Sequence, residues 1–154
     1  MPASGCLPSY RDRMGSVFEH PVTVRWRDVD ALGHVNHAVF LTYLEEGRDA
    51  FYSQLTGGGP SYVVVRLEVD LRAEVRYPDR RVLVRIEAER LGTTSLTTRE
   101  TITTPSGELA AEACVVTVRW DAVLRKPAPF TEAERAWLEA PGADGPGGTG
   151  QTGP

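Results

Sequence analysis

Cysteine and lysine are both scarce in this chain of 154 residues. The two cysteines, Cys6 and Cys114, are too few for a disulfide framework. We therefore predict that both are reduced thiols, as in a cytoplasmic protein. Lys126 is the single lysine among 17 basic residues, and the formal net charge is -4. Because nucleic-acid binding relies on basic surface patches, this charge balance predicts no nucleic-acid partner.

Long apolar runs are also absent from the sequence. No stretch approaches the roughly 20 apolar residues that are needed to cross a bilayer, so we expect no membrane partner. The first 16 residues lack the apolar centre of a signal peptide. Together these absences predict a cytoplasmic location.

The composition that remains is typical of one soluble domain, with 41% hydrophobic and 25% charged residues. Residues 1–16 show no periodicity, which predicts a flexible N-terminal arm. In residues 141–154, nine of the fourteen positions are Gly or Pro, and such a segment cannot bury apolar surface. We therefore predict a disordered Gly/Pro-rich tail over 140–154 and a working domain over 17–139.

The hydrophobic period changes along that domain. Val22, Val24 and Trp26 alternate with polar residues, which predicts a half-buried strand. Over residues 38–55 the apolar residues recur at helical spacing on almost every turn, which indicates a long and largely enclosed helix. Gly47 lowers helix propensity there, and we expect it to mark a close approach to another backbone.

The rest of the domain has the pattern of β-structure. Every odd position from Val63 to Tyr77 is apolar, and a strand of that length must bend or carry a bulge in a small domain. Three more strands and a short helix follow, the helix opened by Thr131 and Glu134 as a capping box. We predict an α+β fold in which a four-stranded antiparallel meander follows the long helix. One curved antiparallel β-sheet wrapped around the long central helix would bury both elements.

The loop between the first strand and the helix is rich in reactive side chains. Asp28 and Asp30 could be turn residues that accept backbone N–H groups, or catalytic carboxylates acting as base or nucleophile. Gly33 is expected to supply a backbone conformation that other residues resist. His34 and His37 could form a metal pair only with a third ligand, but the only other histidine is His20 and no cysteine lies near, so we predict no metal site.

The start of the helix carries a second kind of chemistry. Asn36 is placed to be its N-cap, with His37 in its first turn. The first N–H groups of a helix have no partner within it and lie at the positive end of the helix dipole. They could therefore polarise a substrate carbonyl and stabilise an oxyanion, although capping is also something that every helix needs.

The stretch WRDVDALGHVNHAVFLTYLEEGRDAFY resembles the signature of the hotdog-fold acyl-CoA thioesterases, in the 4-hydroxybenzoyl-CoA thioesterase-like group. The resemblance extends over about residues 20–125. It implies the hotdog fold, in which a curved antiparallel sheet surrounds a helix. It also implies hydrolysis of an acyl-CoA or acyl-carrier-protein thioester, no cofactor beyond the CoA of the substrate, and a homodimer that assembles further into a tetramer.

The same resemblance implies roles for individual residues. Asp30 would be the catalytic residue, as nucleophile or general base. The backbone N–H of His37, with Asn36, would contact the substrate carbonyl, and His34, Gly33 and Ser95 would contribute to substrate binding.

The chain departs from the family pattern at Thr93, where relatives often carry a basic residue, and this leaves the contact to the CoA phosphates unassigned. Arg81, Arg85 and Arg90 are candidates for that contact by charge, although each could equally be an exposed strand arginine.

Two alternatives to a thioesterase stay open at the level of sequence. One is a hydratase or dehydratase that acts on acyl thioesters with the same fold. The other is a non-catalytic module that binds acyl-CoA or only dimerises, in which Asp30 is a turn residue. The chain has no G-x-S-x-G motif, so a serine-based thioesterase is not predicted.

Overall fold

The computed structural model describes residues 15–59 and 61–140, and its helices and strands lie between Val17 and Glu139. Almost all of the predicted arm and tail therefore lies outside the described residues, and their boundaries stay predictions. The strands are β1 (Val17–Thr23), β2 (Tyr62–Leu71), β3 (Arg81–Leu91), β4 (Ser95–Thr103), β5 (Leu109–Asp121) and β6 (Lys126–Pro127), and the helices are α1 (His37–Thr56) and α2 (Glu132–Glu139).

The strands form one antiparallel sheet in the order β1-β3-β4-β5-β2, with β6 paired to the end of β5. The predicted four-stranded meander is wrong, because only β3, β4 and β5 are consecutive neighbours. Helix α1 joins β1 to β2 and packs on β1, β3 and β4. It crosses the sheet, so β2 lies at the edge opposite β1. The prediction of a curved antiparallel sheet with a long helix packed against it, the α+β hotdog fold, is confirmed.

The first strand lies earlier in the chain than the alternation predicts. It ends at Thr23, Trp26–Asp28 form a turn of 3-10 helix, and the side chain of Trp26 is 78% exposed. The carboxylate of Asp28 accepts the backbone N–H of Arg25 at 2.8 Å. This local hydrogen bond competes with strand pairing. The strand therefore ends at Thr23, although the apolar alternation in the sequence continues to Trp26.

The long apolar alternation after the helix is interrupted, as predicted. β2 shifts register against β5 between Val64 and Arg66, and it ends at Leu71. The chain then bends, and the amides of Arg72 and Ala73 both donate to the carbonyl of Ala110. The segment that follows this bend leads directly to the candidate site.

Helix α1 buries one face against the sheet. A Cβ atom on Gly47 would lie 2.4 Å from Cγ1 of Val84, so the glycine does mark a close contact, but the predicted neighbour is wrong because it is a side chain and not another backbone. The prediction that α1 is largely enclosed is confirmed only for the side of the helix that faces the sheet. The opposite stripe is exposed in a single chain and consists of His37, Ala38, Leu41, Thr42, Glu45, Asp49 and Ser53.

The terminal helix α2 begins as predicted, with reciprocal hydrogen bonds between Thr131 and Glu134. Cys114 on β5 is disulfide-bonded, so the prediction of a reduced thiol is wrong for it, while Cys6 lies outside the described residues. A cysteine within a strand carries no local sequence signal of pairing. None of the described helices is both long and apolar enough to cross a membrane.

Candidate active site

The loop between β1 and α1 is held against the segment after β2 by backbone hydrogen bonds. The amide of Val35 donates to the carbonyl of Val75 at 2.7 Å, and a β-bridge joins His34 to Arg76. Within the loop, the amide of Asn36 donates to the carbonyl of Asp28 at 2.8 Å. The start of α1 and the two aspartates therefore belong to one well-bonded unit.

The two aspartates of this loop have different environments. Asp28 is 6% exposed, and its Oδ2 accepts both the amide of Arg25 at 2.8 Å and the hydroxyl of Tyr43 at 2.7 Å. Burial, with this hydrogen bond, raises the pKa of Tyr43 well above its ordinary value, so its hydroxyl remains a donor. The carboxylate of Asp28 is thus committed to holding the loop on the helix.

Asp30 is partly exposed and lies at the start of a tight turn. Its backbone bonds both ways across the turn, donating to the carbonyl of His34 at 2.8 Å and accepting from the amide of Gly33 at 3.0 Å. Its Oδ1 accepts the amide of Leu32 at 2.9 Å, which is the turn role considered for it. Within residues 15–59 and 61–140, Oδ2 accepts no hydrogen bond, so one oxygen is fixed and the other is available.

Gly33 has φ +81°, a backbone conformation that L side chains rarely adopt, and open space surrounds the position of its missing Cβ. The prediction that this glycine serves the backbone is confirmed. The turn returns the chain so that His34 and Val35 pair back onto the loop and onto the segment after β2.

The two histidines of the loop differ in their contacts. Nε2 of His34 lies 2.5 Å from Oε2 of Glu74, and both side chains are nearly half exposed. His37 is exposed on the first turn of α1. The part of the chain that the structure describes contains no group of three or more His, Cys, Asp or Glu side chains placed to hold a metal ion.

The N-terminus of α1 leaves one donor available. Oδ1 of Asn36 accepts the amide of Ala38 at 2.9 Å, and the carbonyl of Asn36 accepts the amide of Val39 at 2.9 Å, so the predicted N-cap is confirmed. Among the described residues, nothing accepts the amide of His37. This N–H lies at the positive end of the helix dipole and can polarise a carbonyl oxygen.

Ser95 lies far from this loop in the single chain. It begins β4 beside the end of β3, where Leu91 pairs with Leu96, whereas the loop follows Thr23, which pairs with Arg81 at the start of β3. β3 has 11 residues, so at about 3.3 Å per residue the two ends are roughly 30 Å apart. One chain therefore brings Asp30, His34, Asn36 and His37 together but leaves Ser95 at the other end of the sheet.

A groove of about 820 Å³ lies between the exposed stripe of α1 and the start of β2. The rings of Tyr52 and Tyr62 stack at 4.2 Å along it, and the hydroxyl of Tyr62 donates to Asp49 at 2.6 Å. The sequence did not indicate that Asp49 lines this groove, because an acid on an exposed helical face carries no local signal of a binding site.

Comparison with known proteins gives consistent matches. Residues 24–138 match the family model of the thioesterase-like superfamily. A thioesterase from Thermus thermophilus, complexed with coenzyme A and Zn, is 36% identical with a TM-score of 0.69, over 79% of this chain and 97% of that one. A predicted thioesterase from Bacillus stearothermophilus is 28% identical with a TM-score of 0.71, over 80% and 94%.

A 1,4-dihydroxy-2-naphthoyl-CoA thioesterase from Synechocystis shares the fold, with a TM-score of 0.67 at 20% identity, over 80% of this chain and 96% of that one. No curated protein matches the chain.

Proposed function

Because the chain belongs to the thioesterase-like superfamily and is a thioester hydrolase, we propose that it cleaves acyl-CoA esters to a free acid and CoA, with Asp30 as the catalytic carboxylate. The observation that carries this assignment is the unequal use of the two aspartates. Asp28 is buried and its Oδ2 holds Arg25 and Tyr43, whereas Asp30 is partly exposed and its Oδ2 accepts no hydrogen bond among the described residues.

Two routes are available to a carboxylate in this position. As a nucleophile, Asp30 would attack the thioester carbonyl, release the CoA thiolate and form an anhydride that water then hydrolyses. As a general base, it would take a proton from a water molecule that attacks the same carbon. The bond from Oδ1 to the amide of Leu32 would fix the orientation of the carboxylate in either route.

The amide of His37 would stabilise the oxyanion that forms on the thioester carbonyl. Asn36 supports this role because its side chain occupies the amide of Ala38 and leaves that of His37 available. Removal of one such donor typically costs roughly 3 kcal/mol of transition-state stabilisation. His34 and Gly33 would shape the substrate-facing side of the turn.

A second copy of the chain would complete the site. β2 is an edge strand, and Val64 and Val65 on it are 42% and 59% exposed. Exposed apolar edge strands are prone to pair with another chain. If two copies pair antiparallel through β2, the Ser95 end of one sheet approaches the Asp30 loop of the other. We therefore include a homodimer in the proposal, with further assembly to a tetramer.

The substrate supplies its own CoA, and the proposal includes no cofactor or metal. Coenzyme A in the Thermus thermophilus complex supports a CoA ester, and a carrier-protein thioester is the alternative to be tested. A CoA ester as substrate would also favour a cytoplasmic location.

Thiol release from a panel of aliphatic and aromatic acyl-CoA and acyl-carrier-protein esters tests the proposal. Asp30→Asn should keep the fold and lose turnover by a factor of at least about 100, a loss in the range expected for a catalytic group. Asp28→Asn is the matched control, and it should lower stability more than turnover because its carboxylate holds Arg25 and Tyr43. Unchanged turnover in Asp30→Asn would overturn the assignment of Asp30.

The same assays separate the remaining alternatives. Product formed without thiol release would indicate hydration or dehydration of the acyl group, and CoA-ester binding without turnover would indicate a binding module. In water labelled with oxygen-18, recovery of the isotope in the peptide that carries Asp30 would identify the nucleophilic route.

A further inference from the structure

The hairpin that joins β5 to β6 ends in a well-defined tip. Asp121 and Lys126 pair across it, and Oδ1 of Asp121 accepts the amides of Val123 at 2.9 Å and Leu124 at 2.8 Å. An aspartate that caps two amides in this way fixes the course of a turn. The side chains at the tip therefore extend from a constrained backbone.

Arg125 in this tip has φ +51°, a left-handed conformation that favours Gly or Asn. The only other described non-glycine residue with positive φ is Arg80, whose guanidinium lies 4.6 Å above the ring of Tyr77 and donates to its hydroxyl. Arg125 makes no comparable contact with the described residues. Backbone strain that no internal contact explains is a reason to look for a ligand.

The tip combines positive charge with apolar surface. Arg125 and Lys126 are exposed, and neither forms an ion pair within residues 15–59 and 61–140. The neighbouring Val123 and Leu124 are 90% and 61% exposed. A nucleotide has the complementary chemistry, because its base can pack on aliphatic groups and its phosphates bind cations.

The earlier candidates for a phosphate contact are distributed differently over the sheet. Arg85 is engaged by Glu19 and Glu87. Arg81 lies beside Thr23, at the end of the sheet opposite Ser95. Arg90 lies at the same end as the hairpin, where it pairs with Thr97 on the adjacent strand. The chain has Thr93 at the position where relatives often carry a basic residue, so cations of the nearby hairpin could serve instead.

We propose that Arg125 and Lys126 of the β5–β6 hairpin bind the phosphate groups of the CoA moiety of the substrate. This inference rests on the proposed function, since it requires a CoA ester.

In a dimer paired through β2, the register of the sheet places the hairpin of one copy near the active-site loop of the other. Tyr62 at the start of β2 pairs with Arg119, two residues before Asp121, while the end of β2 leads to Val75, which bonds to the Asp30 loop. In an antiparallel two-fold pair, the start of one β2 adjoins the end of the other. The hairpin of one copy would then lie beside the loop of its partner, so each CoA would contact both chains.

The test is calorimetric binding of CoA and of pantetheine, which lacks the phosphates, to the full chain. The double variant Arg125→Asn and Lys126→Gln should weaken CoA binding roughly tenfold, about the effect of losing one charged hydrogen bond, and leave pantetheine binding unchanged. Asn tolerates the left-handed backbone at position 125. Lys126→Gln alone, which leaves the tip backbone unaltered, should give a smaller loss of the same kind.

Arg99→Gln is the comparison variant, because it removes a cation that is already paired with Glu89 and Glu112. It should leave CoA binding unchanged. Unaltered CoA binding in the hairpin variants, an equal loss for pantetheine, or a loss of the same size in Arg99→Gln would each overturn the inference. These outcomes are independent of thiol release, so a failure of the proposed hydrolysis would be recognised separately.

Discussion

Glu100 is a carboxylate in the centre of the sheet whose ionisation should destabilise the fold. It is completely buried on β4, with its Oε2 2.6 Å from Nη1 of Arg48 on α1 and its Oε1 3.0 Å from the hydroxyl of Thr98. Burial raises the pKa of Glu100 to about 7, and the opposing effects of Arg48 and Thr98 do not cancel it. An unfolded glutamate has a pKa of about 4.3.

The sign of the pH dependence follows from this difference. Between about pH 4.3 and pH 7 the folded chain retains a proton on Glu100 that the unfolded chain has released. The free energy of unfolding should therefore fall as the pH rises through this window, and it should level off above it. The difference between a folded pKa of about 7 and an unfolded pKa of about 4.3 corresponds to about 4 kcal/mol in total, of which about 3 kcal/mol falls above pH 5.

Glu100→Gln removes this titration while retaining the shape of the side chain. Urea unfolding of wild type and variant at pH 5, 6, 7 and 8 should show wild type losing about 3 kcal/mol relative to the variant. Contributions that are common to the two chains cancel in that comparison. Thr98→Val removes a hydrogen bond that favours the carboxylate, so it should move the end of the slope to higher pH.

A constant difference between wild type and Glu100→Gln from pH 5 to pH 8 would refute this reasoning. A wild type that gains stability relative to the variant as the pH rises would show that the ion pair with Arg48 outweighs burial. Only the second result would mean that α1 is held to the sheet by a net favourable charge pair.

Two further predictions concern α1 and are measured by urea unfolding. Gly47→Ala should destabilise the fold by about 1–2 kcal/mol, because overpacking against Val84 exceeds the gain in helix propensity. Val84→Ala in the same chain should recover part of the loss. An unchanged urea midpoint in Gly47→Ala would contradict the close contact. Asn36→Ala should cost about 1 kcal/mol through loss of the cap on Ala38, whereas Asn36→Asp, which keeps an acceptor oxygen, should cost much less.

The elements that sequence predicted well are those set by local chemistry. The N-cap at Asn36, the capping box of Thr131 and Glu134, and the special backbone of Gly33 each depend on bonds within a few residues. The hydrophobic period correctly separated the long helix from the strands that follow it. Such features need no knowledge of how distant segments meet.

The errors arose where distant segments decide the outcome. The end of β1 is the exception, because a local hydrogen bond from the amide of Arg25 to Asp28 ended the strand although the alternation continued through Val24. The position of β2 beside β5 depends on where α1 delivers the chain, which no local pattern encodes. The disulfide at Cys114 likewise requires a partner that sequence spacing does not identify.

The crowding of polar residues in the loop is explained by a division of labour between its two acids. A single carboxylate cannot both hold the loop on α1 and remain available to substrate, because the first task requires burial against the helix. Asp28 meets that requirement through Arg25 and Tyr43, and this anchoring leaves Asp30, two residues later, on the open side of the turn. The positive φ of Gly33 then brings the chain back to begin the helix. The spacing D-x-D therefore provides one carboxylate that supports the loop and one that keeps an oxygen available to substrate. A variant in which the two carboxylates exchanged environments would lose both the support and the available oxygen.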